Sequence, residues 1–285
     1  MKTTLESWLK KAKKQVNSNT PELDSELLLA FRLQKNRAYL RAFGNTPLPA
    51  DIQQQLQTDL QRLRHGYPLA YLLGKKAFWD MTLTVTEDTL IPRPDTETLV
   101  EVVLSLLPPS FDGRLLDLGT GSGAIAIALS RERPDAKIYA CDMHQAALNV
   151  AARNAQRWQR APITFFRSDW FNVLDKAHGS NPLQKPFTLI VANPPYIAPQ
   201  DPHLAALTFE PTKALIAKQD GLADIRQIIT RAPYYLLPNG WLIVEHGYNQ
   251  GQAVRGLFTS AGKWQEITTH RDLSGNERAS VARLG

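Results

Sequence analysis

The sequence predicts an α/β protein in which a mainly parallel, seven-stranded, doubly wound sheet follows a small helical bundle. A change in apolar period along the chain supports this prediction. Up to about residue 65 the apolar side chains recur at intervals of three and four, which is the helical period. Beyond Gly113 short apolar runs alternate with helical stretches, as in parallel sheets that helices cover on both faces.

The first segment, residues 1–73, is expected to be a bundle of helices. Pro21 in a first turn and the break at 44–49 mark where helices begin and end. After Gly74 the alternation of apolar residues over 78–85 predicts a strand pair, so residues 74–92 are interpreted as a β-hairpin linker. The apolar residues of the bundle form three sets at helical spacing: Leu5, Trp8 and Leu9; Leu23, Leu27, Leu28 and Phe31; Ile52, Leu56, Leu60 and Leu63.

The second domain, residues 93–285, is predicted to contain the sheet. In open sheets of this kind ligands bind at the carboxyl ends of the strands, so the residues that follow each strand are the candidate functional residues. The pattern places strands at 114–118, 137–141, 163–167, 188–192, 241–245, 265–270 and 279–284, and helices at 124–131, 145–157, 222–236 and 251–261.

Composition argues against several classes of protein. A chain of 285 residues with 43% hydrophobic and 21% charged residues is expected to fold around one large or two modest cores. We expect a cytoplasmic protein with no membrane partner, because the start lacks a secretory apolar stretch and no apolar run is long enough to cross a bilayer. Cys141 is the single cysteine and the six histidines lack metal-ligand spacing, so no metal site is expected.

Positive charge is concentrated in residues 1–73, which carry eleven Lys and Arg against six Asp and Glu. A basic segment of this kind suggests an acidic or nucleic-acid-containing partner. A solvated helical surface explains the run at 10–14 equally well.

A glycine-rich turn follows the first strand of the second domain and is predicted to bind a cofactor. Its residues, Gly119-Thr120-Gly121-Ser122-Gly123, let the backbone approach a ligand closely. An NAD site is the competing interpretation. The Gly-x-Gly-x-Gly spacing differs from the dinucleotide fingerprint, and the preceding Asp117 would oppose a pyrophosphate but favour an ammonium and sulfonium ligand.

The ends of the second and third strands supply two further cofactor candidates. Asp142 follows the second strand, 23 residues after Gly119, where a carboxylate can accept both hydroxyls of a ribose. It could instead cap the helix that begins at 143. Trp170, in Ser168-Asp169-Trp170, offers an aromatic face for adenine, although a core position is the alternative.

The tetrapeptide Asn193-Pro194-Pro195-Tyr196 follows the fourth strand and is predicted to be a catalytic loop. Consecutive prolines fix φ and remove two N–H donors, so the loop presents acceptors. The Asn193 side-chain oxygen and the Pro194 carbonyl can accept both protons of an amino group on a planar carbon, and Tyr196 can stack on it. Because these acceptors stabilise the charge that develops on an attacking nitrogen, the loop indicates methyl transfer to an amide-type nitrogen rather than merely a proline-stiffened turn.

These motifs and their flanking segments resemble the HemK/PrmC family of release-factor glutamine methyltransferases over nearly the whole chain. The flanking segments are Arg64 to Pro68, Phe78-Trp79, Leu90 to Glu97 and Phe209-Glu210-Pro211. The resemblance implies a class I, Rossmann-like methyltransferase domain and a helical front domain that binds class I peptide chain release factors. It implies methylation of the side-chain amide nitrogen, N5, of the glutamine in their Gly-Gly-Gln motif.

The resemblance also implies roles for particular residues. S-adenosyl-L-methionine, with S-adenosyl-L-homocysteine as its product, would be bound by Gly119, Thr120, Gly121, Ser122, Gly123, Asp142, Trp170 and Asn193. The glutamine side chain would be bound by Asn193, Pro194, Pro195 and Tyr196, of which Asn193, Pro194 and Tyr196 would be catalytic.

Two other functions remain open from the sequence. An adenine-N6 methyltransferase on DNA or RNA would need the same acceptor loop, because adenine presents the same planar amino group, and the basic front segment could contact phosphates. A non-catalytic nucleotide- or RNA-binding module would tolerate the loss of the Asn193 side chain, which a methyltransferase would not.

Overall fold

The chain forms two compact units, Met1–Lys75 and Lys76–Gly285, in a computed structural model that describes residues 3–176 and 182–285. The first unit is helical, with its elements at α1 Leu5–Ala12, α2 Pro21–Leu33, α3 Arg37–Ala42, α4 Ala50–Arg64 and α5 Leu69–Leu73. The expected helix start at Pro21 and the expected break at 44–49 are both confirmed.

Local chemistry and packing define the helices of the first unit. Thr4 and Ser7 form a reciprocal capping box that starts α1, with the Thr4 N–H donating to Ser7 Oγ at 2.8 Å. Arg32 of α2 donates two hydrogen bonds, at 2.6 and 2.8 Å, to the buried carboxylate of Asp59 on α4. The apolar stripes predicted on α1 and α4 meet in one core, which includes Leu5, Trp8, Leu56 and Leu60. The stripe predicted on α2 is wrong in part, because Leu28 and Leu29 enter this core whereas Phe31 is exposed.

The second unit is an α/β domain, as the sequence predicts. It begins with a two-stranded sheet, β1 Lys75–Phe78 and β2 Met81–Thr84, of which β1 begins at the last residue of the first unit. Its main strands are β3 Arg114–Leu118, β4 Lys137–Asp142, β5 Ile163–Arg167, β6 Phe187–Ala192, β7 Leu236–Glu245, β8 Trp264–Arg271 and β9 Glu277–Leu284.

The seven-stranded sheet has the order β5-β4-β3-β6-β7-β9-β8. The first five strands pair in parallel, and β9 is antiparallel to both of its neighbours. The order reverses beside β3, so the carboxyl ends of β3, β4 and β6 meet at one edge. Ligands of open α/β sheets bind at this switch point.

Helices cover both faces of the sheet and divide its side chains into two cores. Alternate residues along β3 show the division, because Leu115 belongs to one core and Leu116 to the other. The helices are α6 Glu97–Leu106, α7 Ala124–Glu132 and α8 Gln145–Trp158 on one face, and α9 Asn172–Lys176, α10 Ala223–Arg231 and α11 Gly251–Ala261 on the other.

Two predicted boundaries are wrong, and helices α6 and α9 were not predicted. The helix expected over 222–236 ends at Arg231, because Pro233 lacks the N–H that would continue it. The strand expected over 241–245 already begins at Leu236. Helix α6 was missed because its run of apolar residues precedes the first strand and carries no clear helical stripe. Within the described ranges, no helix is long and apolar enough to cross a membrane.

Candidate active site

A cleft opens at the carboxyl edge of the sheet and brings together most of the candidate residues. All of its walls belong to the second unit. Of the predicted residues, Gly119, Thr120, Gly121, Ser122, Asp142, Trp170, Asn193 and Pro195 line it. Residues of the segments that the sequence had linked only to family resemblance also line it: Leu90, Pro92, Arg93, Thr96 and Pro211. Other lining residues, which no motif had indicated, include Asp88, Thr89, Met143, His144, Lys213 and Ala214.

The glycine-rich loop turns from β3 into α7 with left-handed backbone conformations. Gly119 has φ 74°, and a Cβ at this position would lie 3.3 Å from Cζ3 of Trp170. Gly123, with φ 85°, occupies the N-cap of α7, beside the cleft rather than in its lining. Because residues that carry a side chain rarely adopt such φ values, the loop needs glycine to make this turn against Trp170.

Asp117 braces the loop from beneath, a role that differs from the sequence interpretation. Its side chain is buried, and Oδ2 accepts hydrogen bonds from Thr120 Oγ1 at 2.7 Å and from the Ala126 N–H at 3.2 Å. Oδ1 has no hydrogen-bond partner among the described residues. Burial raises the pKa of Asp117 to about 7, although these two hydrogen bonds oppose the shift.

Asn154 on α8 also supports the loop and was missed by the sequence analysis. Its Nδ2 donates to the Ser122 carbonyl and to the Thr84 carbonyl, each at 2.9 Å, and its Oδ1 accepts from the Thr84 N–H at 2.8 Å. The buried amide therefore ties the loop to β2. A polar residue within a helix gives no sequence signal for such a contact.

Asp142 holds the turn before α8 but is not the N-cap of that helix, which is His144 and has no side-chain cap hydrogen bond. Oδ2 accepts from the Gly121 N–H at 3.0 Å, and Oδ1 accepts from the His144 N–H at 2.9 Å, just before α8 begins. Each carboxylate oxygen retains a lone pair for a further donor, and the side chain lines the cleft. Asp142 can thus hold the turn and also accept hydroxyl groups of a ligand.

Trp170 likewise contributes to both the cleft and the core. It has φ 45°, a conformation uncommon outside glycine, and its Nε1–H donates to Asp224 Oδ1 at 3.1 Å. Its half-buried ring lines the cleft on one side and packs against the second core on the other. The indole is therefore fixed in orientation before any ligand arrives.

The loop 193–196 lies across the cleft from Asp142 and is held by several side chains. Asn193 Nδ2 donates to Thr96 Oγ1 at 3.2 Å, which leaves Oδ1 of this amide as an acceptor at the cleft. Tyr196 turns its hydroxyl away from the lining and donates to Glu245 Oε1 at 3.0 Å. Pro194 is buried, and Pro195 lines the cleft.

Two contacts hold the backbone at the end of this loop. Gln250 Nε2 donates to the Tyr196 carbonyl at 3.0 Å and to the Asp220 carbonyl at 3.1 Å. Gly221, with φ 84°, packs so closely that a Cβ there would overlap the Tyr196 carbonyl. The loop is thus rigid through its surroundings as well as through its prolines.

The segments that carried the family resemblance contact one another. The buried Glu210 carboxylate forms an ion pair with Arg93 and accepts a hydrogen bond from the Ile91 N–H at 3.1 Å. This pairing joins 90–97 to 209–211 along one wall of the cleft. The spacing of more than a hundred residues between the partners explains why no local pattern could reveal it.

Comparison with known proteins identifies the family. Residues 7–74 match the PrmC N-terminal domain and residues 94–215 match the methyltransferase small domain. A release factor glutamine methyltransferase of Salmonella typhimurium is 45% identical over 280 residues, covering 97% of this chain and 98% of that protein. The chain belongs to the release factor glutamine methyltransferase family.

Other members of this family are equally similar. The Escherichia coli release factor glutamine methyltransferase is 44% identical over 279 residues, covering 97% of each chain. Among solved structures, a methyltransferase from Pyrococcus furiosus aligns with TM-score 0.52 and 13% identity over 80% of this chain and 98% of that one. The hMettl16 catalytic domain aligns with TM-score 0.53 and 16% identity over 71% and 74% of the two chains. These structures establish the class I methyltransferase fold alone.

The cleft of this family member fits S-adenosylmethionine better than a dinucleotide. Three carboxylates, Asp88, Asp142 and Asp169, line it against two cationic side chains, Lys213 and Arg93, of which Arg93 is paired with Glu210. The orphaned Asp117 Oδ1 adds a buried acceptor beneath the loop. Such surroundings attract a cationic ligand and repel a pyrophosphate.

Proposed function

We propose that this protein uses S-adenosylmethionine to methylate N5 of the glutamine in the Gly-Gly-Gln motif of class I peptide chain release factors. The observation that carries the proposal is the orientation of Asn193, whose amide nitrogen is engaged by Thr96 while its oxygen remains an acceptor at the cleft. Family membership over nearly the whole chain supports the choice of substrate.

The cofactor residues would act through the contacts that they already make. Asp142 would accept hydroxyl hydrogen bonds, Trp170 would offer its fixed face, and the loop 119–123 would pack its backbone against the ligand. When bound, S-adenosylmethionine supplies a methyl group on a positively charged sulfur. The acidic surroundings of the cleft favour binding of that charge.

The loop 193–196 would prepare the amide nitrogen. Asn193 Oδ1 and the Pro194 carbonyl would accept its two protons, which orients the nitrogen and stabilises positive charge as the new bond to carbon forms. The proton is lost after transfer, so the loop needs to contain no base. Because these acceptors are preformed, they lower the entropy cost of bringing the amide nitrogen and the methyl group together.

Tandem mass spectrometry tests the proposal directly. Full-length protein is incubated with S-adenosylmethionine and a purified class I release factor, with a release factor carrying alanine in place of the motif glutamine as the matched control. One added methyl on that glutamine, absent from the control, is the expected result. Methyl transfer to adenine in DNA or RNA instead, with the release factor unmodified, would refute it.

The basic helical unit would bind the body of the release factor and so supply affinity that a single glutamine cannot. Phe43 offers an aromatic surface there, because it is 53% exposed and stacks on Tyr39 beside the basic α3. Phe43→Ala is expected to raise KM for whole release factor without changing cofactor affinity. Tyr234→Ala, which removes an exposed aromatic side chain from the other unit, is the matched control and should leave KM unchanged.

A further inference from the structure

A buried carboxylate stands directly behind the loop 193–196. Glu245 is the last residue of β7 and is 1% exposed. Strand β7 pairs in parallel with β6, whose end at Ala192 leads into the loop. The sequence analysis assigned no role to Glu245, although it ends a strand at the same edge as Asp142.

A hydrogen bond links Glu245 to the end of this loop. Tyr196 donates its hydroxyl to Glu245 Oε1 at 3.0 Å, whereas Oε2 of the same buried carboxylate has no hydrogen-bond partner among the described residues. At the start of the loop, Thr96 Oγ1 accepts from Asn193 Nδ2 at 3.2 Å. Glu245 and Thr96 therefore hold the two ends of the loop, Glu245 through Tyr196 and Thr96 through Asn193.

Tyr196 is the donor in its contact with Glu245. Burial raises the pKa of the Tyr196 phenol well above its usual range, so the phenol keeps its proton. Glu245 Oε1 accepts this hydrogen bond, and the bond is stronger when the carboxyl is ionised. The ionised form of Glu245 therefore holds Tyr196 more firmly than the protonated form.

The charges around Glu245 place its titration near neutral pH. Burial raises its pKa to about 7, and Asp95 adds to this effect. The hydroxyls of Thr96 and Tyr196, and the Arg278 guanidinium on β9, lower it. Arg278 is itself shared between Asp95 at 3.0 Å and Asp272 at 3.2 Å.

We infer that Glu245 is a positioning residue for methyl transfer, whose carboxylate holds Tyr196 and thereby fixes the loop 193–196 that presents Asn193 to the cleft. This inference rests on the proposed function. Glu245 touches neither substrate nor cofactor, and its effect is on the geometry of the acceptor pair. Its loss should therefore lower kcat while leaving cofactor affinity and KM for the release factor nearly unchanged.

Single-turnover methylation by full-length wild type and Glu245→Gln, measured between about pH 6 and pH 9, tests the inference. Glutamine keeps the shape but removes the charge, which weakens the hydrogen bond from Tyr196. We expect the wild-type rate to rise as pH increases through about 7, and the variant to be slower by about tenfold or more with no such rise. Calorimetry with S-adenosylhomocysteine should give dissociation constants for the two proteins within about twofold.

Asp95→Asn supplies a second readout that a purely structural role would not move. Removing the Asp95 charge lowers the pKa of Glu245 and also leaves Arg278 without its ion pair to Asp95, so that Arg278 stabilises the Glu245 carboxylate more strongly. The rise in rate should therefore shift to lower pH. Thr96→Val should lower the rate and move its rise to higher pH, because it removes the hydroxyl that holds Asn193 and that also lowers the pKa of Glu245.

The outcomes separate the inference from the proposed function. Wild type that fails to methylate the release factor would refute both. The inference alone would be refuted if the wild type methylates the release factor and Glu245→Gln does so at a rate within about threefold of wild type, with the same pH dependence. Loss of cofactor affinity in Glu245→Gln would likewise refute it, since the residue would then support the whole cleft.

Discussion

Replacing Asp142 with alanine is the sharpest test of the cofactor site. In the structure this carboxylate accepts backbone N–H groups from Gly121 and His144, and each of its oxygens keeps a lone pair for the ligand. Alanine removes all of these acceptors. Asparagine keeps the shape and one acceptor oxygen but directs its NH2 group at one of the two backbone donors.

The expected loss of affinity follows from these hydrogen bonds. Those to an ionised group contribute about 1.5 to 3 kcal/mol each, so losing the carboxylate should weaken cofactor binding by roughly tenfold to over a hundredfold. Asp142→Asn should lose less, because one acceptor survives. The Gly121 N–H that Asp142 now engages would turn to water in the alanine variant and further loosen the loop.

Calorimetric titration with S-adenosylhomocysteine measures the loss. Asp135→Ala is the matched control, because Asp135 is an exposed carboxylate in the turn before β4 whereas Asp142 ends the same strand. Urea unfolding of each variant separates weaker binding from lower stability. Unchanged affinity in a folded Asp142→Ala would refute the assignment of this carboxylate to the cofactor.

Three further changes probe other parts of the second unit. Asn193→Ala should bind cofactor nearly as the wild type does yet lose at least about a hundredfold in single-turnover transfer, and a rate within about threefold of wild type would contradict its catalytic role. Arg93→Ala leaves the buried Glu210 carboxylate without its cation and should lower the free energy of unfolding in urea by about 1.5 to 3 kcal/mol. Asp117→Asn should gain stability relative to wild type as pH rises from about 4 to about 7, because over this range the unfolded wild type ionises at Asp117 while the folded protein, in which the pKa of Asp117 is about 7, still holds the proton. A difference in urea stability that does not vary with pH would contradict this account of Asp117.

The sequence predicted most of the sheet because its strands are short, apolar and bounded by clear turn residues. The bounds expected for 114–118 and 163–167 are those observed, and the helix expected at 251–261 is confirmed. The sequence could place the catalytic and cofactor candidates at one edge of the sheet, because parallel strands end on the same side. Their individual roles remain predictions, since they depend on ligands.

Contacts between distant segments could not be predicted. The pairing of Arg93 with Glu210, and the clamp of Gln250 on the Tyr196 carbonyl, join residues with no periodic relation in the sequence. The sequence pattern also could not predict the direction of the Tyr196 side chain, because the hydrogen bond to Glu245 holds its hydroxyl away from the cleft. Asp117 was expected to face the ligand, whereas packing and the hydroxyl of Thr120 draw its carboxylate beneath the loop.

The close approach of Gly221 to the Tyr196 carbonyl offers a genetic tool. An alanine at 221 would have to adopt φ near 84°, and its methyl group would overlap that carbonyl. The substitution would nevertheless change no charge and no polar group of the active site. The alanine allele should therefore shift the loop without removing any of its chemistry, and warming should enlarge the shift before the domain unfolds. A bacterium carrying that allele would stop methylating its substrate at raised temperature and resume on cooling, which separates the cellular need for the modification from the need for the protein itself.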